Sequence, residues 1–510
     1  MMLLNPFERL FTRILPIAIL IVICLFNTSY AQTNIKFKIT SALEALYNFN
    51  FKSSEKSFDN IIKRYPEHPA GYYYKAISHL WFYLDSKNDI DLTNFISLTD
   101  TAILKAEEIF KNDSSDVFSL YILGSAYANR TFAFTRDESY FDAVIAARKF
   151  HSCFDELLTQ DSLYYDAYTG KGLFNFAISQ APQTWSWAIN LAGMTGDKKI
   201  GLTNLEIASK KGKLSKVDAQ FYLSQIYSEF LLKYQPAKRM LNDLTFRYPK
   251  NLLFKFALAN LQIKTFDLNS ASRNYKAVYT SRDTNFIQLK NYAGMALGDI
   301  LYYQGDYGDA RSYYVKFLEQ STDPHFKGIT ALKIGLSYLF EGDSLSAVMY
   351  FDKTDEGNDD LDDDEFARKK GEIYLNQLPG ADELKLIRIK NKIQSGKFNA
   401  AIDSLEKFVE QTLSDTLRAE AILSLSDAYF HLGKYKRSLE YAVAVFNFDY
   451  YELWVKPFAC YFAARASNEL KNITDAEFFI GYASNFKNYF YENKLTDRLS
   501  FLSFLLTEKR

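Results

Sequence analysis

The chain of 510 residues contains three cysteines, and only Cys153 and Cys460 lie beyond its first 31 residues. They stand about 300 residues apart, which excludes a dense disulfide framework and leaves stability to packing. Both sit among apolar neighbours, where a thiol behaves as a small core residue. Histidine is as scarce. His68, His79, His151, His325 and His431 form no H-E-x-x-H pair. His151 and Cys153 are two residues apart, on different faces of a helix. A G-x-S-x-G elbow is also missing. Nor is there an excess of either charge: 60 basic residues face 61 acidic ones, so the chain has no global attraction to nucleic acid or to an anionic membrane. These absences remove the common constellations for catalysis and metal binding, and no metal or cofactor is expected.

One apolar run is present, from Ile14 to Phe26. Arg9 and Arg13 precede it, and small residues Ser29 and Ala31 follow. The run is short against the ~20 residues of a spanning helix. It reads as a secretory signal peptide, residues 1–31, cut before Gln32. Cys24 follows Ile23, where a lipoprotein signal requires a small residue, so it reads as part of the signal core. Cleavage removes two basic residues and one acidic residue, leaving a net charge near −2 and no second membrane span.

What the chain has in abundance is a recurring spacing. Leu297 and Gly298 are followed by Leu301, Gly305, Ala310 and Tyr314; Ile334 and Gly335 are followed by Tyr338, Gly342, Ala347 and Phe351, at identical offsets. This is the pattern of the tetratricopeptide repeat, a helix–turn–helix unit of about 34 residues. Gly298 and Gly335 let a second helix approach, and Gly305 and Gly342 end the first helix. Ala310 and Ala347 sit at the crossing; Tyr314 and Phe351 fill the gap beyond it. Ala237, Ala271, Ala401, Ala476 and Ser438 occupy the crossing position in weaker units. The long step from Ala347 to Ala401 holds an insertion. Leu123, Gly124 and Tyr127 look like a first helix and Ala143 like its crossing alanine, with two helical turns added.

The fold class follows: all-α, a right-handed α-solenoid of roughly ten to thirteen helix pairs. The expected divisions are repeats over 32–165, an atypical helical insert over 166–215, repeats over 216–355, an acidic loop and connecting helix over 356–380, and repeats over 381–510. About 480 residues after cleavage exceed what one compact core holds, and a solenoid escapes that limit by growing in one dimension.

Two segments break the pattern. The first carries Gly170-x-Gly172-x-Phe174, Ser179, Pro182, Trp185, Trp187, Gly193, Gly196-Asp197-Lys198-Lys199 and Gly201-Leu202. With Tyr248–Pro249 ahead of an apolar helix, it resembles the tetratricopeptide repeat protein 39 family, which includes the yeast inclusion-body-clearance protein, over about residues 115–300. The resemblance implies an all-helical, non-enzymatic scaffold. Its known members are largely intracellular and eukaryotic, which the signal peptide here departs from. Read from the residues, the glycines lack the spacing of a phosphate loop or a dinucleotide fingerprint and serve close helix packing instead. Asp197 reads as a helix N-cap. Trp185 and Trp187, two of only four tryptophans, are candidates for contact with a partner.

The second segment is acidic: Asp355, Glu356, Asp359, Asp360, Asp362, Asp363, Asp364 and Glu365. Calcium would need an EF-hand spacing that Gly357 does not fit. A solvated loop entering a helix N-terminus accounts for the acids, with Arg368 and Lys369 one turn after Glu365.

The sequence therefore predicts an exported, non-enzymatic scaffold for protein–protein contacts. Its concave groove would offer Tyr302, Tyr303 and Tyr338 to an extended peptide or a helix. The compartment expected is the periplasm or surface of a Gram-negative bacterium. Two alternatives stand beside this: a glycan- or nutrient-binding accessory protein, and a cell-wall enzyme with a cryptic site.

Overall fold

The computed structural model describes residues 29–180, 194–449 and 451–507, with side chains from residue 35 onward. The signal segment up to residue 28, and the candidates Trp185 and Trp187, lie outside the described residues. Within them every regular element is helical, and the helices run in antiparallel pairs joined by short turns. The chain is an α-solenoid that divides into two units, residues 29–261 with 281–289 and residues 262–280 with 290–507.

Small-against-large crossings hold the pairs of the second unit together. A Cβ placed on Gly298 would lie 2.7 Å from the Tyr314 ring, and one on Gly335 would lie 2.5 Å from the Phe351 ring. Only a residue without a side chain lets these helices reach their spacing. Ala310 and Ala347 are fully buried, as are Ala271, Ala401, Ala476 and Ser438; Ala237 is fully buried in the first unit. Where Ser438 replaces alanine, Ser426 replaces the facing glycine. Each hydroxyl donates to the other's carbonyl at 2.8 Å, so the polar pair is satisfied in the crossing. Gly305 and Gly342 end their helices at φ +95° and +87°, a backbone that side chains resist.

The insertion after Ala347 is a single additional helix. Ser344–Phe351 runs into a 3₁₀ turn, Asp352–Glu356, and the chain then forms Asp362–Asn376 before the next pair begins at Ala381. The Tyr374 ring seats against Phe351 at 5.2 Å.

In the first unit the pair Val117–Arg136 and Tyr140–Gln160 corrects one expectation. The aromatic that fills the space over Gly124 is Phe154, whose ring would lie 2.5 Å from a Cβ at that position, and not a residue one turn beyond Ala143. Gly124 to Phe154 spans fourteen residues more than Gly298 to Tyr314, so in both helices, rather than one, the part between this contact and the turn is longer by about two turns. The 166–215 segment continues the series as a helix pair, Ala167–Ile178 with Lys198–Lys211. Its backbones approach so closely that a Cβ on Gly172 would meet the Gly201 carbonyl at 2.9 Å, and the reverse at the same distance.

Contacts far apart in sequence close this unit. Helix Ser29–Tyr47 buries Ile35, Ile39, Ala42, Leu43 and Leu46. Its end meets the start of helix Lys216–Glu229 and the turn before Leu252–Lys264. Tyr47 donates to Asp218 at 2.5 Å, Tyr248 donates to Glu44 at 3.0 Å, and Asn251 donates to the Tyr47 carbonyl at 2.8 Å. Burial and the adjacent Asp218 hold the Tyr47 phenol well above its ordinary range.

Candidate functional site

The first helices of the second unit place Asp299, Tyr302, Tyr303, Lys333 and Tyr338 on neighbouring turns. Asp299 accepts from the Tyr314 hydroxyl at 2.6 Å and from the Lys333 ammonium at 2.5 Å. The Lys333 ammonium also lies 5.9 and 5.7 Å from the ring centres of Tyr303 and Tyr314. A buried ammonium needs such partners, since removing it from water is costly. A second buried pair stands nearby: Lys494, from helix Glu492–Thr507, reaches Asp363 at 3.0 Å with both side chains almost fully enclosed. Asp299, Asp363 and Tyr491 all act on the Tyr303 phenol, and burial first, then these groups, raises it well above its ordinary range.

This changes the part expected of the tyrosines. Tyr302 is a core residue, 3% exposed, surrounded by Tyr303, Tyr307, Tyr314 and Phe340. The Tyr303 hydroxyl is enclosed and has no hydrogen-bond partner among the described residues. Tyr338 is half-buried, with the Arg311 guanidinium 4.2 Å from its ring centre and Tyr350 nearly parallel at 5.8 Å. The unit's own side chains therefore occupy the inner positions that sequence reading offered to a partner. Tyr302 is enclosed by its own and the next repeat, whereas beside Tyr303 the chain returns: segment 490–494 comes back onto helix Asp362–Asn376, where Phe490 and Tyr491 pack on Phe366.

Sequence reasoning missed a set of buried aspartates that fasten helix starts from a distance. Asp166 receives, on one oxygen, the backbone N–H of Lys213, Leu214 and Ser215 and the Ser215 hydroxyl, at 2.7 to 3.0 Å. Asp85 uses both oxygens, for the N–H of Gln288 and of Leu289 at 2.9 Å each. Asp364 also uses both: Ile329 N–H on one, Phe326 and Asn358 N–H on the other, at 2.7 to 3.0 Å. Burial pushes Asp85 and Asp364 up to about 7 against the pull of these donors. The groups act as remote N-caps, supplying acceptors to amides that a helix leaves unpaired. In sequence each aspartate looks like a local cap or a surface acid.

The acidic segment accordingly splits in two. Asp362, Asp363 and Asp364 are buried, contrary to a wholly solvated reading, because they face Lys494 and the start of helix Lys327–Phe340. Asp352, Asp355, Glu356, Asp359 and Asp360 are exposed. Among the described residues no group of three or more His, Cys, Asp or Glu side chains is placed to hold a metal ion. No described helix is long and apolar enough to cross a membrane.

The outer helices carry apolar side chains that the cores do not use. Phe141 is 79% exposed, Phe246 85%, Leu345 84% and Phe478 62%, each on the second helix of its pair.

Comparison with known proteins agrees with the repeat reading. Residues 162–326 match the family model described as Iml2/Tetratricopeptide repeat protein 39, a span that starts and ends later than the 115–300 of the sequence resemblance. No curated protein matches the chain. Among solved structures, a tetratricopeptide repeat protein from Parabacteroides merdae is 12% identical, covering 56% of this chain and 98% of its own, at TM-score 0.24. The apo form of the quorum sensor NprR from B. thuringiensis is 13% identical, covering 82% and 99%, at TM-score 0.32. The APC/C hetero-tetramer Cut9–Hcn1 is 12% identical, covering 92% and 94%, at TM-score 0.24.

Proposed function

We propose that this chain, a tetratricopeptide-repeat protein, is a non-enzymatic scaffold that is exported to the cell envelope and binds protein partners through its outer helices. Repeats of this type are generally non-catalytic and suggest a protein-interaction role. The observation that carries the reading is two exposed apolar sets, each on one helix: Leu345, Val348 and Met349 on Ser344–Phe351, and Phe478 with Tyr482 on Ile473–Ala483. Large apolar groups left in water without a packing duty mark contact surfaces when they cluster. Export is supported by the apolar run Ile14–Phe26 behind Arg9 and Arg13, with small residues Ser29 and Ala31 at its end.

Crosslinking in the native cell, followed by mass spectrometry of what is bound to the folded chain, tests this. Recurrent envelope proteins would support it; folded protein recovered without any protein adduct would overturn it.

One observation favours glycan binding as a second reading. Phe478 and Tyr482, one helical turn apart and 62% and 40% exposed, hold their rings within 7° of parallel at 5.9 Å. Such flat faces suit the C–H face of a sugar ring. Retention on immobilised polysaccharides that vanishes in Phe478→Ala would support it, and no retention would remove it.

A further inference from the structure

The geometry points to a docking surface on helix Ser344–Phe351 and the 3₁₀ turn after it, shaped for a basic amphipathic helix of a protein partner. Residues 345, 348, 349 and 352 fall at i, i+3, i+4 and i+7 and share one face of the helix. Leu345 is 84% exposed, Val348 38% and Met349 66%, while Ala347 and Phe351, on the opposite face, are fully buried. The apolar stripe is thus what remains after the helix has satisfied its own core.

Acids continue the stripe. Asp352, Asp355 and Glu356 are exposed and make no ion pair among the described residues. Arg368 pairs with Asp359 and Glu372 and Arg311 with Glu341, which leaves Lys353, exposed in the same turn and 5.8 Å from the Tyr350 ring centre, as the cation among the three acids. An apolar strip ending in three carboxylates and one lysine keeps a negative excess and is complementary to a helix with apolar residues on one face and lysine or arginine at its border. It repels an anionic membrane, which separates this surface from a lipid-binding one.

The platform is also held in place. The Asn358 N–H donates to the buried Asp364, and a Cβ on Gly357 would meet that carboxyl carbon at 2.7 Å. Thr354 is buried and donates to the Phe351 carbonyl at 2.7 Å. A backbone fixed in advance loses less freedom on binding. The buried half of the acidic segment therefore sets the position of the exposed half.

This inference rests on the scaffold reading, and its test separates the two. A photo-crosslinking amino acid is placed at Leu345, and in a second strain at Phe478, in the full chain in its native cell; the crosslinked peptides are then sequenced. Adducts at Leu345 to a segment with apolar residues at helical spacing and flanking lysine or arginine are expected. The triple variant D352K/D355K/E356K should lower their yield about tenfold, with an unchanged unfolding midpoint showing that the fold persists. Adducts at Phe478 with none at Leu345, adducts to a second copy of this chain, or a yield indifferent to charge reversal would overturn the surface and leave the scaffold standing. No protein adduct at either position would remove both.

Discussion

Asp166 and Asp364 perform one task in the two units, and they perform it differently. Each is a buried carboxylate that receives backbone amides from a distant helix start. Asp166 gathers four donors on a single oxygen, whereas Asp364 divides three donors between two oxygens. Asp364 also stands beside a second buried carboxylate, Asp363, which needs Lys494. An amide can turn its one oxygen to the four donors of Asp166, whereas at Asp364 its nitrogen must face a donor. The two sites thus differ in how far an amide can take the place of the carboxylate.

The largest effect should come from removing the cation beside that pair. Lys494→Met leaves Asp363 enclosed and unpaired, a loss of about 3–5 kcal/mol, read as a lowered urea midpoint. Lys494→Met with Asp363→Leu should recover most of it, because an apolar pair tolerates the site; failure to recover would mean that the pair is not the cause.

Asp364→Asn ranks next. Its amide nitrogen must face one of the three backbone donors, so a hydrogen bond is lost and a buried amide is orphaned, at a cost of about 1–3 kcal/mol. Hydrogen exchange at Phe326, Ile329 and Asn358 should rise in this variant.

The pH dependence is common to the two units, since burial raises Asp85 and Asp166 in the first and Asp364 in the second. Asp85 and Asp364 are raised in the folded chain to about 7 from an ordinary 3.8. The folded state therefore holds more protons than the unfolded state between these values. Their contribution to stability is fully present below pH 3.8 and is lost as pH rises towards 7. Denaturation midpoints at pH 4.5 and 7 should show this decline, and the double variant Asp85→Asn/Asp364→Asn should flatten it.

Asp166→Asn should do least. With its oxygen turned to the four donors the amide keeps these hydrogen bonds and loses only the attraction of the carboxylate for Lys36, so a loss of about 1 kcal/mol is expected. A loss as large as that of Asp364→Asn would show that charge, rather than acceptor count, holds the first unit.

The repeat pattern was legible because it is local. Gly298, Ala310 and Tyr314 announce a crossing through spacing alone, and the structure places Tyr314 over Gly298. The same grammar failed at Gly124, since lengthening both helices between this contact and the turn moves the partner from the neighbourhood of Ala143 to Phe154 without changing the residue types. Nothing in sequence marks Tyr302 as interior rather than groove-facing, because a first helix presents both faces with the same period. Its burial follows from Tyr307, Tyr314 and Phe340 closing around it. Asp85, Asp166 and Lys494 were illegible because their partners lie 203, 47 and 131 residues away. The exposed stripe of Leu345, Val348 and Met349 could have been found, as an apolar set on the helix face opposite Ala347.

The closure of the first unit has a consequence in time. Tyr47 is locked by Asp218, 171 residues later, and by Asn251, 204 residues later. At roughly 5–20 residues per second of synthesis, the first helix waits on the order of ten to forty seconds for the segments that hold it. During that interval helix Phe51–Arg64, made a few residues later, is already present to pack on the first, while Tyr47 has neither partner. The opening repeats of this unit thus stand packed but unfastened until residue 251 has emerged.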